Sequence, residues 1–183
     1  MQSRGPLMIE HRLIARMIAL FDKALKQIDA AGKVDPVFID TVVDFMRFYA
    51  DRTHHGKEED LLFQELRKRS LSAEDEKIMN ELIEEHALGR RTTQALVDAN
   101  IRYRSGDAAA LSDIMANLRK LVAFYPGHIV KEDRIFFPSS RTYFTDEEDQ
   151  AMLSAYWEFD RKMVHEKYNL LVKEMEKQNP SSI

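Results

Sequence analysis

The chain has 183 residues, of which 32% are charged, with 27 basic and 31 acidic side chains and a formal net charge of -4. This slight acidic excess without a basic run excludes an electrostatic footprint for nucleic acid. No apolar run approaches the roughly 20 residues of a membrane span, no signal peptide is recognisable and no cysteine is present, so we expect a cytoplasmic protein without disulfides, thiolate catalysis or cysteine-ligated metals.

Breaks in the sequence predict five helical segments. Asp35 followed by Pro36 is typical of a helix start, and Ser72 is the expected cap of the third segment. Thr145 and Glu148 form a capping-box pattern at the start of the last one. The predicted segments are 7–31, 36–69, 73–105, 107–137 and 146–177.

Apolar residues recur at helical spacing and none of the chain has a strand pattern. The stripe of the first segment is Leu7, Ile14, Ile18, Phe21, Leu25 and Ile28, and that of the fourth is Leu111, Ile114, Leu118, Leu121, Tyr125 and Ile135. Short connections favour antiparallel neighbours. We therefore predict an all-α fold, an up-down-up-down four-helix bundle with an additional C-terminal helix, as a single domain over 1–183. The core bundle would span about 7–138 and the extra helix about 145–177, with Pro126 kinking or dividing the fourth helix.

One histidine of each predicted bundle helix falls at the same height. The sequence midpoint of His11 and His55 is in the first connection, that of His55 and His86 in the second, and that of His86 and His128 in the third. Residues equally far from a connection are level in an up-down bundle. The four histidines are therefore expected to form one layer.

Helical phase predicts which side chains in this layer face the core. His11 lies on the apolar stripe of the first segment, and His86 aligns with Met79 and Leu82. Two histidines have a glutamate four residues later on the same face. These pairs are His55 with Glu59, in preference to His54 with Glu58 on a solvated face, and His128 with Glu132. His165 is expected at the surface.

Four histidines and two glutamates in an apolar interior are costly unless a cation compensates them. Imidazole and carboxylate without thiolate suit iron, manganese or zinc, and six ligands exceed what one tetrahedral zinc takes. The sequence therefore predicts a buried metal pair with two bridging carboxylates. The predicted ligands are His11, His55, Glu59, His86, His128 and Glu132.

Four stretches resemble the hemerythrin-like (HHE cation-binding) family. They are "EHRL" around His11, "HHGKEEDLLF" around His55, "EEHALGR" around His86 and "HIVKEDRIFFP" around His128. The resemblance implies two non-haem iron ions in a four-helix bundle, bridged by one or both glutamates and by an oxo or hydroxo group. It implies dioxygen, or another small diatomic or peroxide ligand, as partner.

The chain departs from oxygen-carrying members of that family at two positions. Arg90 stands where they have a second histidine of the third helix, so five-histidine coordination needs His54 or another residue. They place an aspartate five residues after the last histidine. Here Glu132 stands at four and Asp133 at five, and we prefer Glu132 as the bridge because it shares the face of His128 more closely. The metal site is therefore expected to be more open or labile than that of a carrier.

Three kinds of function fit these features. The first is a di-iron protein that binds or senses dioxygen or a related ligand. The second is a di-iron redox enzyme or scavenger acting on peroxide or nitric oxide; a ferritin-like site is disfavoured because no histidine follows a glutamate at the Glu-x-x-His spacing. The third is a metal-regulated interaction module, in which the C-terminal helix binds a protein partner or a second copy of the chain.

Overall fold

A computed structural model of the protein describes residues 2–178, which form five helices and no strand. Helix α1 is Arg4–Ala31, α2 spans 36–66, α3 is Ala73–Arg104, α4 spans 110–140 and α5 is Asp146–Gln178. The prediction of an all-α bundle followed by a C-terminal helix is confirmed. None of the helices in the described part of the chain is long and apolar enough to cross a membrane.

Two of these helices contain segments with the wider π-helical hydrogen-bonding pattern. In α2, the α-helical start Pro36–Asp44 is followed by the π-helical segments Phe45–His55 and Glu58–Leu62 and ends as Phe63–Leu66. In α4, the α-helical part Ala110–Lys131 continues into the π-helical turn Glu132–Phe136 and ends as Phe137–Ser140. The short 3₁₀ turn Arg141–Tyr143 then leads to α5.

The expected caps end and start these helices. Gly32 ends α1 with a left-handed φ of 64°, which glycine adopts without steric cost. The Asp35 carboxylate accepts a hydrogen bond from the Val37 N–H at 2.9 Å, and the Ser72 hydroxyl accepts one from the Asp75 N–H at 3.1 Å. Each pairing satisfies a backbone donor at a helix start, where no intrahelical acceptor is available.

The capping box of α5 closes in both directions. The Thr145 hydroxyl accepts from the Glu148 N–H at 3.2 Å, and the Glu148 carboxylate accepts from the Thr145 N–H at 2.8 Å. Two otherwise unpaired backbone donors are thereby satisfied.

Two apolar clusters fill the bundle and leave a polar layer between them. One cluster contains Ile14, Ala50, Leu96 and Tyr125, and the other contains Leu7, Leu62, Leu82 and Phe136. On every bundle helix, the predicted histidine lies between a residue of one cluster and a residue of the other. The equal heights inferred from the sequence therefore agree with the packing.

The π-helical turns shift the helical phase, and this overturns one predicted core position. The first stripe is buried as expected, but Ile135 of the fourth stripe is 50% exposed, whereas Phe136 is 1% exposed. An i→i+5 turn adds a residue to the helical repeat and rotates everything after it. Pro126 lies inside the continuous segment Ala110–Lys131 and does not divide the helix there.

Helix α5 packs against the bundle, mainly along the π-helical part of α2. Tyr156 and Met152 are buried in the second apolar cluster. At Gly56, an added Cβ would lie only 2.8 Å from Cζ of Phe159, so glycine there permits the close approach of α5. Along the same contact, Lys57 Nζ donates to the Asp160 carboxylate at 2.5 Å.

Candidate metal centre

Seven buried side chains of the polar layer converge in two groups. Within each group, one nitrogen or oxygen atom of every residue lies within 4.8 Å of those of the others. The first group is His55, His86 and His128, and the second is His11, His54, Glu58 and Glu132. All four bundle helices contribute, since α1 provides His11, α2 provides His54, His55 and Glu58, α3 provides His86, and α4 provides His128 and Glu132.

Helix α2 turns two adjacent histidines towards the core. In a regular α-helix, neighbouring residues are about 100° apart, so only one of His54 and His55 would point inward. The π-helical segment Phe45–His55 and the one that follows widen the turn, and His54 and His55 are 1% and 2% exposed. The expectation that His54 and Glu58 lie on a solvated face is therefore wrong, because it assumed the uniform α-helical repeat.

The same change of phase exchanges the two neighbouring glutamates. Glu58 is fully buried and belongs to the second group. Glu59, predicted as a ligand, lies at the edge of the core with 27% of its side chain exposed. Its carboxylate accepts hydrogen bonds from Nδ1 of His86 at 2.7 Å and from Arg90 at 3.0 Å. Glu59 therefore orients the ring of His86 through its Nδ1 atom and belongs to neither group.

Each of the five histidines has a carboxylate at its Nδ1 atom. The pairs are His11 with Asp133 at 2.8 Å, His54 with Glu10 at 2.9 Å, His55 with Asp51 at 3.4 Å, His86 with Glu59 at 2.7 Å and His128 with Glu85 at 2.8 Å. A carboxylate only accepts, so Nδ1 carries the hydrogen, and in the neutral ring Nε2 keeps the lone pair that a metal can bind. Metal-binding histidines in proteins are oriented in this way.

The two buried glutamates each reach histidines of both groups. Glu58 Oε1 lies 3.6 Å from Nε2 of His54, and its Oε2 lies 3.4 Å from Nε2 of His86. Glu132 Oε2 lies 3.1 Å from Nε2 of His11, while its Oε1 lies 3.4 Å from Nε2 of His86. Both carboxylates therefore stand between the groups.

The electrostatics of the layer are those of a site short of positive charge. Burial and the neighbouring Glu132 carboxylate raise the pKa of Glu58 well above its ordinary range. Although burial opposes ionisation of Glu132, the histidines around it lower its pKa. Burial disfavours a charged His11, but the hydrogen bond to Asp133 and the nearby Glu132 carboxylate raise its pKa to about 9. A cation at the centre would stabilise the ionised Glu58 carboxylate, and it would take the place of the proton on His11.

Burial and neighbouring imidazoles have the opposite effect on the adjacent histidines of α2. Burial first, and then His11 and His55, lower the pKa of His54 well below its ordinary range. Burial and His86 lower the pKa of His55 to about 3. Both rings are therefore neutral at physiological pH, which is the form that binds metal.

The residues present fit a bound metal. Among the buried side-chain atoms that have no hydrogen-bond partner are Nε2 of His11, His54, His55 and His128, both carboxylate oxygens of Glu58 and Oε2 of Glu132. Such atoms are rare in folded proteins unless a ligand or ion completes them. Imidazole nitrogens with carboxylate oxygens suit iron, manganese or zinc.

The structure brings together five of the six residues selected from the sequence, namely His11, His55, His86, His128 and Glu132, and adds His54 and Glu58. The repeated i, i+4 spacing of His54 with Glu58 was the available sequence signal for this second pair. At the last helix, Glu132 is fully buried, whereas Asp133 is 22% exposed and holds His11. His165 is exposed, as expected.

These features define the protein as a helical bundle with a buried, cation-binding layer of histidines and glutamates. The protein-family model of the hemerythrin HHE cation binding domain matches residues 6–140 of the sequence. Because this match covers most of the chain, the protein belongs to that family; α5 lies beyond the matched residues. Neither the comparison with curated proteins nor that with solved structures gave a match.

Proposed function

We propose that the chain binds two non-haem iron ions and uses them to bind or sense dioxygen or a related small ligand. One observation carries this proposal. Two groups of buried donor atoms lie side by side, and the carboxylates of Glu58 and Glu132 contact histidines of both. Two carboxylates that contact both groups, together with five inward imidazoles, exceed the number of ligands that a single ion coordinates. Two ions would use all of them.

In this proposal His55, His86 and His128 would hold one ion, His11 and His54 would hold the other, and Glu58 and Glu132 would supply carboxylate ligands. Iron held by such ligands supplies open coordination positions and redox chemistry to a small ligand. The protein's part is to fix the imidazoles through their Nδ1 carboxylates and to pack aromatic rings against them. Phe124, Phe137 and Phe63 stack on the rings of His128, His11 and His86, with centroids 5.0, 5.7 and 6.0 Å apart.

The first experiment is to load the purified protein with ferrous iron without air and to measure iron per chain. The ultraviolet-visible spectrum is then followed as air is admitted and removed. About two irons per chain with a reversible, oxygen-dependent band would support oxygen binding or sensing. Irreversible oxidation would favour the alternative of redox or peroxide chemistry, or a role in iron sensing. Absence of iron, or a single bound zinc, would refute the di-iron proposal.

Two adjacent glutamates provide a matched pair of variants. Glu58→Gln removes a carboxylate that contacts both groups, so we expect loss of at least one iron per chain. Glu59→Gln removes only the carboxylate behind His86, and we expect two irons bound roughly 10- to 100-fold more weakly. Equal iron contents in the two variants would contradict the assignment of Glu58 as a metal ligand.

A second candidate function, regulated docking through α5, has one supporting observation. The Glu10 carboxylate contacts both Nδ1 of His54 and the buried ammonium of Lys57, and Lys57 contacts Asp160 of α5. Metal bound at His54 would therefore be connected to the position of α5, either against this bundle or in contact with a protein partner or second copy. Limited proteolysis of α5 and the association state, each measured with and without iron, test this. If neither changes, the docking function is wrong.

A further inference from the structure

Two cavities meet at Arg90, an inner one beside α2 and α3 and an outer one that extends to α5. The inner cavity has a volume of about 180 Å³, and its lining includes Arg47, Asp51, His55, Gly89, Arg90 and Tyr125. The outer cavity has a volume of about 310 Å³, and its charged lining residues are Asp51, Arg52, Glu59, Asp60, Arg90 and Glu166. Asp51 and Arg90 belong to both walls, and the inner cavity extends to a histidine of the metal centre.

Arg90 joins the walls of the two cavities. Its guanidinium donates to Asp51 at 2.9 Å and to Glu59 at 3.0 Å. With 39% of its side chain exposed, Arg90 can swing into solvent by breaking only these two ion pairs, which are individually weak at partly exposed positions.

The charges on the two walls differ in a way that favours a cation in the outer cavity. Four carboxylates and two guanidinium groups line it, which gives an excess of two negative charges. The inner cavity has the guanidinium groups of Arg47 and Arg90 against the single carboxylate of Asp51. With Arg90 in place, the inner cavity therefore repels a cation. Once Arg90 turns away, its remaining charges balance.

The inner cavity also has the size for a hydrated ion. Its volume corresponds to about six water molecules at roughly 30 Å³ each. Gly89 keeps one wall open, because a Cβ added there would lie 3.6 Å from the Tyr125 hydroxyl and would occupy part of this space. A divalent cation with its water shell could thus reach the ring of His55, whose Nε2 atom has no hydrogen-bond partner.

We propose that the outer cavity is the entry site for a divalent cation and that Arg90 is the gate through which the ion passes to His55. This rests on the proposed function, because the route ends at the histidines assigned to the metal pair. In this role the Arg90 side chain controls access to the centre.

The test compares rates of metal transfer in Arg90→Gln and in a matched control, Lys131→Gln. Lys131 pairs with the Glu85 carboxylate at 2.5 Å, and Glu85 accepts a hydrogen bond from Nδ1 of His128. Lys131 is therefore connected to His128 through one carboxylate, as Arg90 is connected to His86 through Glu59. The cavity beside Glu85, however, has no histidine in its wall. Ferrous iron is mixed anaerobically with the iron-free protein, and uptake is stopped with a chelator at intervals. Extraction of iron from the loaded protein is timed in the same way.

We expect Arg90→Gln to take up and release iron roughly 2- to 30-fold faster than the unmodified protein, the factor represented by two partly exposed ion pairs. Iron per chain should stay the same, and Lys131→Gln should keep the original rates. Asp60→Asn, which removes a carboxylate of the outer cavity, should slow uptake.

Unchanged rates in Arg90→Gln with normal iron content would overturn the gate while leaving the proposed function intact. Equal acceleration in Arg90→Gln and Lys131→Gln would also overturn it, because Arg90 would then act only by orienting a carboxylate behind a histidine. No iron uptake by the unmodified protein would refute both proposals.

Discussion

Removal of the metal should destabilise the folded protein strongly, and the size of the effect follows from the polar layer. Six buried groups of this layer have atoms without a hydrogen-bond partner: His11, His54, His55, His128, Glu58 and Glu132. At about 1–3 kcal/mol for each unsatisfied group, the metal-free layer costs roughly 6–18 kcal/mol. Protonation of Glu58 and His11, whose pKa values are raised, recovers part of this, so the lower half of the range applies.

Mass action gives a second route to the same quantity. Two ions, each present at about 100 to 1,000 times its dissociation constant, stabilise the native state by roughly 5–8 kcal/mol in total. The two ranges overlap at about 6–8 kcal/mol. For a chain of this size, 1 kcal/mol moves the melting temperature by about 2–4 °C. Chelation should therefore lower the melting temperature by roughly 12–32 °C.

The assay is calorimetry of the anaerobically iron-loaded protein before and after dialysis against a chelator. His165→Ala serves as the control, because His165 is exposed and lies outside both groups; its shift should equal that of the unmodified protein. His86→Ala should show a smaller shift. A change below about 3 °C in the unmodified protein would refute the reasoning, since the unpaired atoms would then have no cation to lose.

Three further substitutions test the packing and the charges around the bundle. Gly56→Ala should reduce the free energy of unfolding in urea by about 1–2 kcal/mol, because its Cβ lies 2.8 Å from Cζ of Phe159 and overpacking outweighs the gain in helix propensity. Lys57→Met should cost about 3–5 kcal/mol in the same assay, since Lys57 is fully buried and two carboxylates lose their partner. Asp75→Asn should destabilise the protein at neutral pH, because hydrogen bonds from Ser139, Tyr143 and Ser72 overcome burial and lower the pKa of Asp75 below its ordinary 3.8. The stability lost in this variant is present above about pH 4 and disappears as the pH falls through the folded-state pKa.

Each of these substitutions has its own control. Gly127→Ala places a Cβ that meets no described atom within 4 Å beyond its chain neighbours and the adjacent backbone of its own helix, so it should stabilise the protein by about 0.5–1 kcal/mol. Destabilisation there would show that helix propensity is misjudged. Lys26→Met removes a lysine that is 75% exposed and should change stability by less than about 0.5 kcal/mol. If Lys57→Met has an equally small effect, its buried pairing is unimportant. A pH-independent difference for Asp75→Asn would contradict its ionised role.

The sequence was sufficient to predict the helical bundle and the height of the polar layer within it. Helix starts depend on local pairings such as Asp35 with the Val37 N–H and Ser72 with the Asp75 N–H, which need only neighbouring residues. Heights depend on counting residues from the connections, and this placed His11, His55, His86 and His128 in one layer. Both inferences hold because the rise per residue and the capping geometry are properties of the local backbone.

The direction in which a side chain faces is harder to predict from the sequence than its height, because errors in helical phase accumulate along a helix. The widened turn in α4 was enough to expose Ile135 and bury Phe136, and the widened segments of α2 put Glu58 in the place predicted for Glu59. The sequence offered two adjacent pairs of histidine and glutamate and no local means of turning both histidines inward. The contacts of Glu10, Asp51 and Glu85 with the Nδ1 atoms of histidines could not be predicted from the sequence for a related reason. Each contact depends on the direction of a side chain, and that direction depends on the local helical phase.

The sequence by itself thus determined the helices, their caps and the level at which histidines gather, because these follow from local hydrogen bonding and a constant rise. Only the tertiary structure decided that His54 and His55 both face the core, that Glu58 contacts histidines of both groups, and that Arg90 lies in the walls of two cavities beside His55. A π-helical turn is less favourable than an α-helical one in isolation. It persists here where the packing of four helices around buried donor atoms selects it, and that selection belongs to the assembled bundle.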